Sequence, residues 1–219
     1  MIFRYLLFAV VVWGICFALW HFVRWFYGIS STSTQRAKDL AFLKKKINFS
    51  ISELTKMTKE ALDSLTLFTT KTKGLKPLGA VTTGMYYTIF EEPLFMYAKK
   101  YYPFTNNESI IIIATEKDDF TYINYGDKTK LYINGRHKGF ILSDGRLLDQ
   151  SERKELARIE LDEFATYRPV YINGKEVGQV VDPNQNTLMN SRAFPFVEPM
   201  EEQDFIHFQV LTFLSLVES

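Results

Sequence analysis

The chain has 219 residues, of which 47% are hydrophobic and 23% charged, so it has enough apolar material for one globular domain with accessory segments. Its 26 Lys and Arg stand against 25 Asp and Glu, and a net charge of +1 excludes a simple polycationic nucleic-acid binder. The single cysteine, Cys16, excludes an intramolecular disulfide framework and a Cys-rich zinc site. Three widely spaced histidines leave little for a metal site, and we expect no cofactor.

The N-terminus predicts a membrane anchor. From Tyr5 to Trp20 the sequence carries no charged residue, and residues 21–23 extend this run to the ~20 residues that a helix needs to cross a bilayer. Aromatic rings favour the headgroup zone, and they gather at the far end of the run as Trp20, Trp25, Phe26 and Tyr27. We therefore predict a transmembrane helix within residues 1–27 that stays attached to the protein.

Two other interpretations of this segment are weaker. A cleaved signal peptide needs a site with small residues, and the bulky stretch HFVRWFY is a poor cleavage region. A lipoprotein signal needs a small residue before Cys16, where Ile15 stands. Positive residues are more numerous after the segment than before it, so the positive-inside rule predicts a single-pass membrane protein with a cytoplasmic body.

Residues 28–76 predict a basic, amphipathic helical neck. Two capping boxes, Thr32 with Gln35 and Ser50 with Glu53, indicate helices over roughly 34–47 and 51–70, joined near Asn48. Apolar residues recur with a period of seven, at Leu40, Ile47, Leu54, Ala61 and Phe68.

Charge is divided unevenly between the neck and the body. Residues 36–76 hold ten Lys and Arg against four Asp and Glu, whereas residues 77–219 hold fourteen against twenty-one. A basic segment beside an anchor is attracted to anionic lipid, by ~1 kcal/mol per Lys or Arg near the surface. The predicted headgroup contacts are Arg36, Lys38, Lys44, Lys45 and Lys46. A solvated helix face explains the same lysines equally well.

Residues 77–219 predict a β-rich globular domain, mostly antiparallel and either open or closed as a barrel. Asn-Gly turns mark two similar hairpins, Tyr132–Ile141 and Tyr171–Val180, because a type I′ turn needs positive φ at both central residues. The second glycine of each copy predicts a bulge or a close backbone approach. Asp144-Gly145 predicts a third hairpin, and Ser151–Glu163 predicts a charged helix. Strands are predicted at Met85–Phe90, Leu94–Tyr97, Ser109–Ala114 and Phe120–Tyr125.

The C-terminal stretch Phe205–Val217 has no formally charged residue and no strongly polar face. A helix of this kind is buried in protein or membrane, and thirteen residues are too few to span a bilayer. We predict a buried C-terminal helix, with a strand as the alternative. His207 is a candidate buried polar group, interpreted either as a satisfied core histidine or, beside a carboxylate, as a functional group.

The run Tyr171–Val181 and the apolar tail resemble the tubby-like and phospholipid-scramblase-like superfamily, over residues 84–219. The resemblance implies a closed β-barrel wrapped around a hydrophobic C-terminal helix. The predicted helix at 151–163 and the separate N-terminal anchor depart from the family pattern. No functional residue carries over from the resemblance.

The sequence contains no recognisable catalytic motif. Gly-x-Ser-x-Gly, Walker A, Gly-x-Gly-x-x-Gly and His-Glu-x-x-His are all missing. Our leading hypothesis is a non-enzymatic, membrane-anchored α+β protein that holds a protein partner, or itself as a homo-oligomer, at the membrane surface. A lipid-binding or scramblase-like module is the alternative, and an unrecognised hydrolase is the third. We expect contact with membrane lipids and no nucleic-acid partner.

Overall fold

The structure is a computed structural model that describes residues 12–23, 32–48, 51–74, 81–102, 105, 107–162, 164–185 and 191–218. Helix α1 comprises residues 12–23, and all of its side chains are exposed. The rest of the predicted anchor, residues 1–11 and 24–27, lies outside the described residues. Among the helices that the structure describes, none combines the length and the apolarity needed to cross a bilayer.

The first neck helix is confirmed and the second is wrong. Helix α2 spans Ser33–Asn48, and the Gln35 amide donates to Thr32 Oγ1 at 3.3 Å, as one half of a capping box requires. The predicted helix over 51–70 is replaced by a 3-10 turn at Ile51–Glu53, helix α3 at Lys59–Asp63 and the start of a strand. The β-branched threonines between 66 and 72 favour the extended backbone of that strand.

Within the described residues, eleven strands form one sheet, in which each strand pairs antiparallel with the next strand along the chain. The four strands predicted between residues 85 and 125 are confirmed as parts of β2 to β5. The strands are β1 Leu65–Gly74, β2 Val81–Thr88, β3 Pro93–Tyr101, β4 Ser109–Ala114, β5 Asp119–Asn124, β6 Lys128–Ile133, β7 Arg136–Leu142, β8 Arg146–Leu148, β9 Glu155–Ile159, β10 Tyr167–Ile172 and β11 Lys175–Val181.

The sheet is not closed, since β1 and β11 do not pair with each other in the described part of the chain. The irregular segment 191–198 lies between these two edge strands. The Ala193 amide donates to the Leu65 carbonyl at 2.8 Å, and the Val181 amide donates to the Ala193 carbonyl at 2.8 Å. The closed barrel implied by the superfamily resemblance is therefore not formed by the strands alone, because the chain leading out of β11 occupies the gap.

The antiparallel order places successive turns at alternate edges of the sheet. We call the edge with turns 89–92, 115–118, 134–135 and 173–174 the distal end. The proximal end carries the connections 102–108, 125–127, 143–145 and 160–166. Helix α2 starts near the proximal end, where Arg36 pairs with Glu108 at 2.6 Å, and runs toward the distal end, where Lys44 pairs with Asp119 at 3.5 Å.

The predicted C-terminal helix is confirmed as α4, Glu202–Glu218, and residues 208–217 are all buried. It enters the interior at the distal end and ends at the proximal end. The Phe213 ring stacks on Phe95, with centroids 4.3 Å apart, and meets Phe120 edge-on at 6.2 Å. The Tyr122 hydroxyl donates to the Val210 carbonyl at 2.9 Å. The α+β class is confirmed, with a helix inside the sheet.

Strand β3 holds a helix on each of its faces. Consecutive side chains of a strand point to opposite faces. Lys99 Nζ donates inward to the Val217 carbonyl of α4 at 3.0 Å, and Lys100 Nζ reaches outward to Asp39 of α2 at 2.6 Å. Because α2 covers the outer face, the run Ser109–Ala114 of the neighbouring β4 is buried on both faces, which explains its uninterrupted apolar sequence.

All three predicted hairpins are confirmed. Both Asn-Gly turns have positive φ, 51° and 74° at 134–135 and 51° and 79° at 173–174. The register of β6 with β7 shifts by one residue before Gly139, and a Cβ on Gly178 would lie 2.8 Å from the Phe208 ring. The same shift recurs before Gly178 in the pairing of β10 with β11, and a Cβ on Gly139 would lie 2.0 Å from the Leu148 carbonyl oxygen, so each second glycine marks both a bulge and a close approach.

The predicted helix at 151–163 is wrong, because β9 occupies Glu155–Ile159. Asp149 forms a turn by accepting the amides of Arg153 and Lys154, at 3.0 and 3.3 Å. Ala157 and Ile159 then point inward while Arg158 between them is exposed. Pairing with β8 and β10 overrides the helical tendency of this charged segment.

Candidate functional site

A cavity of about 570 Å³ opens at the distal end, where α4 enters the sheet. Its floor is apolar and its rim is polar, which is the usual chemistry of a ligand site. The apolar lining residues are Leu131, Ile133, Leu147, Leu156 and Ile206, and the polar ones are Asp118, Asn134, Arg136, Lys138, Gln203 and His207.

The first Asn-Gly turn shapes one wall of this cavity. Asn134 Nδ2 donates to Asp118 Oδ1 at 2.7 Å, and the Asp119 amide donates to Asn134 Oδ1 at 2.9 Å. These bonds tie the turn between β6 and β7 to the turn between β4 and β5. The Asp118 carboxylate is thereby engaged by an amide, and its position is fixed.

Two cations lie on the same hairpin. Arg136 pairs across the ladder with Ile133, so the two side chains share a face, and Lys138 is the extra residue of the bulge. Both side chains are exposed, and neither forms an ion pair within the described residues. The rim is therefore cationic above an apolar floor.

His207 lines the cavity from the first turns of α4, so the structure brings this predicted residue into the site. Its Nδ1 atom is buried and has no hydrogen-bond partner among the described residues. Burial lowers the pKa of His207, Lys138 and Lys154 lower it further, and the Asp204 carboxylate opposes them. Burial therefore favours the neutral imidazole, and no carboxylate among the described residues accepts a hydrogen bond from His207 Nδ1.

The five predicted lipid contacts are not gathered on one surface. Arg36 is engaged by Glu108 and lies over the Tyr125 ring at 4.4 Å, and Lys44 pairs with Asp119. Lys46 is half-buried, whereas Lys38 and Lys45 are exposed on the side of α2 that faces away from the sheet. Their contact with lipid stays a prediction.

Sequence reasoning missed the cations of the distal cavity. The signal was present in the basic triplet Arg136-His137-Lys138, which follows the first Asn-Gly turn. The second copy has Lys175-Glu176-Val177 at the same place, and Lys175 is paired with Glu198. The difference between the two hairpins identifies the first as the one with free positive charge.

Comparison with known proteins adds no assignment: no family model, no curated protein and no solved structure matches the chain. In the part of the chain that the structure describes, no group of three or more His, Cys, Asp or Glu is placed to hold a metal ion.

Proposed function

We propose that this protein is a non-enzymatic binding module, held at a membrane by its N-terminal segment, whose distal cavity receives a partner. The observation that carries the proposal is that the start of α2 and the cavity lie at opposite ends of the sheet. The ion pair of Arg36 with Glu108 fixes the start of α2 at the proximal end, while the cavity opens at the distal end. The N-terminal segment therefore leaves the body on the side opposite the binding site.

The chemistry of the cavity favours a protein partner that presents an apolar side chain next to a carboxylate. The apolar side chain would fill the floor between Leu131 and Leu156, and the carboxylate would meet Arg136 and Lys138. A body on the cytoplasmic side of the membrane is part of the same proposal and is supported by the positive flank of the apolar segment.

A lipid-binding module is the second candidate. An acyl chain over the apolar floor, with an anionic headgroup at the two cations, suits the same lining. We keep the superfamily resemblance as a proposal as well, supported by the buried helix within an antiparallel sheet.

Photo-crosslinking tests the cavity. A photoreactive residue at Gln203 on the rim should capture a partner in native membranes, and the double variant R136E/K138E should abolish that product. The control K38E/K45E makes the same charge change on the exposed face of α2 and should retain it. A crosslinked product that persists in R136E/K138E contradicts the proposal. An adduct with the mass of a lipid favours the second candidate.

Two further measurements bear on the rest of the proposal. The full chain should stay with membranes through an alkaline carbonate wash, and its release would contradict anchoring. A catalytic turnover that is lost on replacing a single cavity residue such as His207 would contradict the non-enzymatic assignment.

A further inference from the structure

The geometry points to a second membrane contact: the exposed side chains Leu161 and Phe164, in the loop after β9, insert into the bilayer beside the N-terminal segment. This inference rests on the proposed anchoring and deepens it. It assigns the proximal end of the sheet as the face that meets lipid.

The loop after β9 exposes an aromatic side chain to solvent. Phe164 is 89% exposed, and Leu161 and Tyr167 nearby are 48% and 51% exposed. The Phe164 amide donates to Asp162 Oδ1 at 3.0 Å, so the aspartate forms a local turn in this loop. Apolar side chains exposed together, rather than singly, mark contact sites, and Leu161, Phe164 and Tyr167 all lie in or beside this loop.

Tyrosines extend this surface around the same end. Tyr101 closes β3 and is 48% exposed, and Tyr125 follows β5 and is 37% exposed. The alternating order of the strands places both at the edge that carries Phe164 and Tyr167. Amphipathic rings of this kind favour the headgroup zone of a bilayer.

The short stretch of chain between the apolar run and α2 identifies the bilayer as what this surface contacts. The apolar run ends at Val23, and α2 begins at Ser33, which the pair of Arg36 with Glu108 fixes at the proximal end. Even a fully extended chain of this length, at about 3.5 Å per residue, could separate the two points by roughly 35 Å at most. An anchored chain therefore keeps the start of α2, at the proximal end, within that distance of lipid.

The loop after β9 is acidic, since Asp162 and Glu163 stand between its two apolar residues in the sequence, whereas the neighbouring cations are paired. Arg158 lies 3.6 Å from Glu160, and Arg146 lies 2.7 Å from Asp144. The contact consequently depends on apolar insertion, and anionic headgroups should weaken it by repelling the loop carboxylates. It differs in this respect from the attraction predicted for the lysines of α2.

The distal end supplies a matched control. Phe90 lies in the turn between β2 and β3 and is 71% exposed, at the end of the sheet opposite the start of α2. A probe at Phe90 and a probe at Phe164 therefore start from similar exposure on opposite ends of one protein.

The test uses the full chain in lipid nanodiscs, in a Cys16→Ala background that leaves one label site. Phe164→Cys and Phe90→Cys each carry an environment-sensitive fluorophore. Acyl chains that bear bromine should quench the probe at 164 and leave the probe at 90 unchanged, and aqueous iodide should quench the probe at 90 several-fold more strongly. Replacing part of the phosphatidylcholine with phosphatidylserine should weaken the bromine quenching at 164 and leave the probe at 90 unchanged.

The outcomes distinguish a failure of this inference from a failure of the proposed anchoring. Co-elution with nanodiscs together with equal iodide quenching at 164 and 90 overturns this inference alone. A chain that does not co-elute with nanodiscs overturns the anchoring and the inference together. Both labelled variants should show the thermal transition of the unlabelled chain, because each replaces an exposed side chain.

Discussion

Gly135 and Gly139 lie in one hairpin but meet different constraints. Gly135 has a φ of +74° and open space where a Cβ would stand. Gly139 has a φ of +157°, and a Cβ there would lie 2.0 Å from the carbonyl oxygen of Leu148 on the neighbouring strand. The first position needs only a left-handed backbone, whereas the second also needs the absence of a side chain.

Alanine at these two positions should therefore have unequal effects. We expect Gly135→Ala to cost about 1 kcal/mol of unfolding free energy, from left-handed backbone strain alone. Gly139→Ala should cost more than about 3 kcal/mol, because the ladder with β8 must separate. Urea denaturation of the two variants measures the difference, and equal losses would contradict the close approach.

His207 makes stability depend on pH. Its pKa lies below the ordinary 6.5, so the unfolded chain binds the proton more tightly than the folded protein. The stability linked to neutral His207 is therefore present above pH 6.5 and is lost as the pH falls below that value. Burial raises the pKa of Glu218 above 4.5, which gives a dependence of opposite sign.

Replacing His207 should reduce the acid sensitivity of the fold. The melting temperature of His207→Gln should fall less than that of the wild type between about pH 7.5 and about pH 5.5. Asp204→Asn should increase the fall, since the Asp204 carboxylate opposes the lowering of the His207 pKa. Identical pH profiles for all three proteins would show that His207 does not titrate across this range.

At the scale of elements, α2 is fastened to the sheet by a buried polar cluster. Asp39 Oδ2 accepts from Lys100 Nζ at 2.6 Å and from the Tyr102 hydroxyl at 2.8 Å, and all three residues are buried. Burial and the adjacent carboxylate raise the pKa of Tyr102 well above its usual range. An unpaired charge left in this place would be costly.

Removing the Asp39 carboxylate alone should lower the unfolding free energy more than replacing all three polar side chains together. Asp39→Leu leaves Lys100 buried without a partner and should lower the unfolding free energy by about 3–5 kcal/mol. The triple variant D39L/K100M/Y102F also replaces the two side chains that donate to Asp39 Oδ2. It should therefore recover most of that loss. Denaturant titration compares them, and a triple variant no more stable than Asp39→Leu would contradict this account.

The central helix depends on its aromatic contacts. Phe213 is fully buried between Phe95 and Phe120, so Phe213→Ala should cost about 3–5 kcal/mol of unfolding free energy. Phe164→Ala is the matched control at an exposed site and should stay within about 0.5 kcal/mol of the wild type. Similar losses for the two variants would mean that α4 does not form the centre of the core.

The errors of sequence reasoning also belong to the scale of elements. Asn-Gly turns and the apolar tail have local causes, so the hairpins and α4 could be predicted. The period of seven ending at Phe68 resembled a helix, but the chain is already extended at Leu65. The segment at 151–163 became a strand because two neighbouring strands offered a ladder, which no local pattern reveals.

At the scale of the whole molecule, α4 is the core around which the strands are arranged. A chain that ends after Glu201 loses ten consecutive buried residues. We expect it to lose cooperative thermal unfolding and to bind a dye for exposed apolar surface. A sharp transition with a native circular dichroism spectrum would contradict this expectation.

The candidate site, too, can be recognised only from the arrangement of the whole molecule. His207 could be identified from the sequence because it interrupts an apolar run. Arg136, Lys138 and Asp118 could not be grouped with it, since only the order of the strands brings turns 115–118 and 134–135 to the mouth of the interior. A cavity assembled by topology leaves little trace in a single sequence.

The two adjacent lysines of β3 have a mechanical consequence. Lys100 holds the helix that leads toward the N-terminus, and Lys99 holds the helix at the centre of the molecule. Because α2 runs along the strands, tension on the N-terminal segment would load β3 in shear, against all its hydrogen bonds with β2 and β4 at once. We expect a shear geometry of this kind to resist force better than one in which bonds open singly.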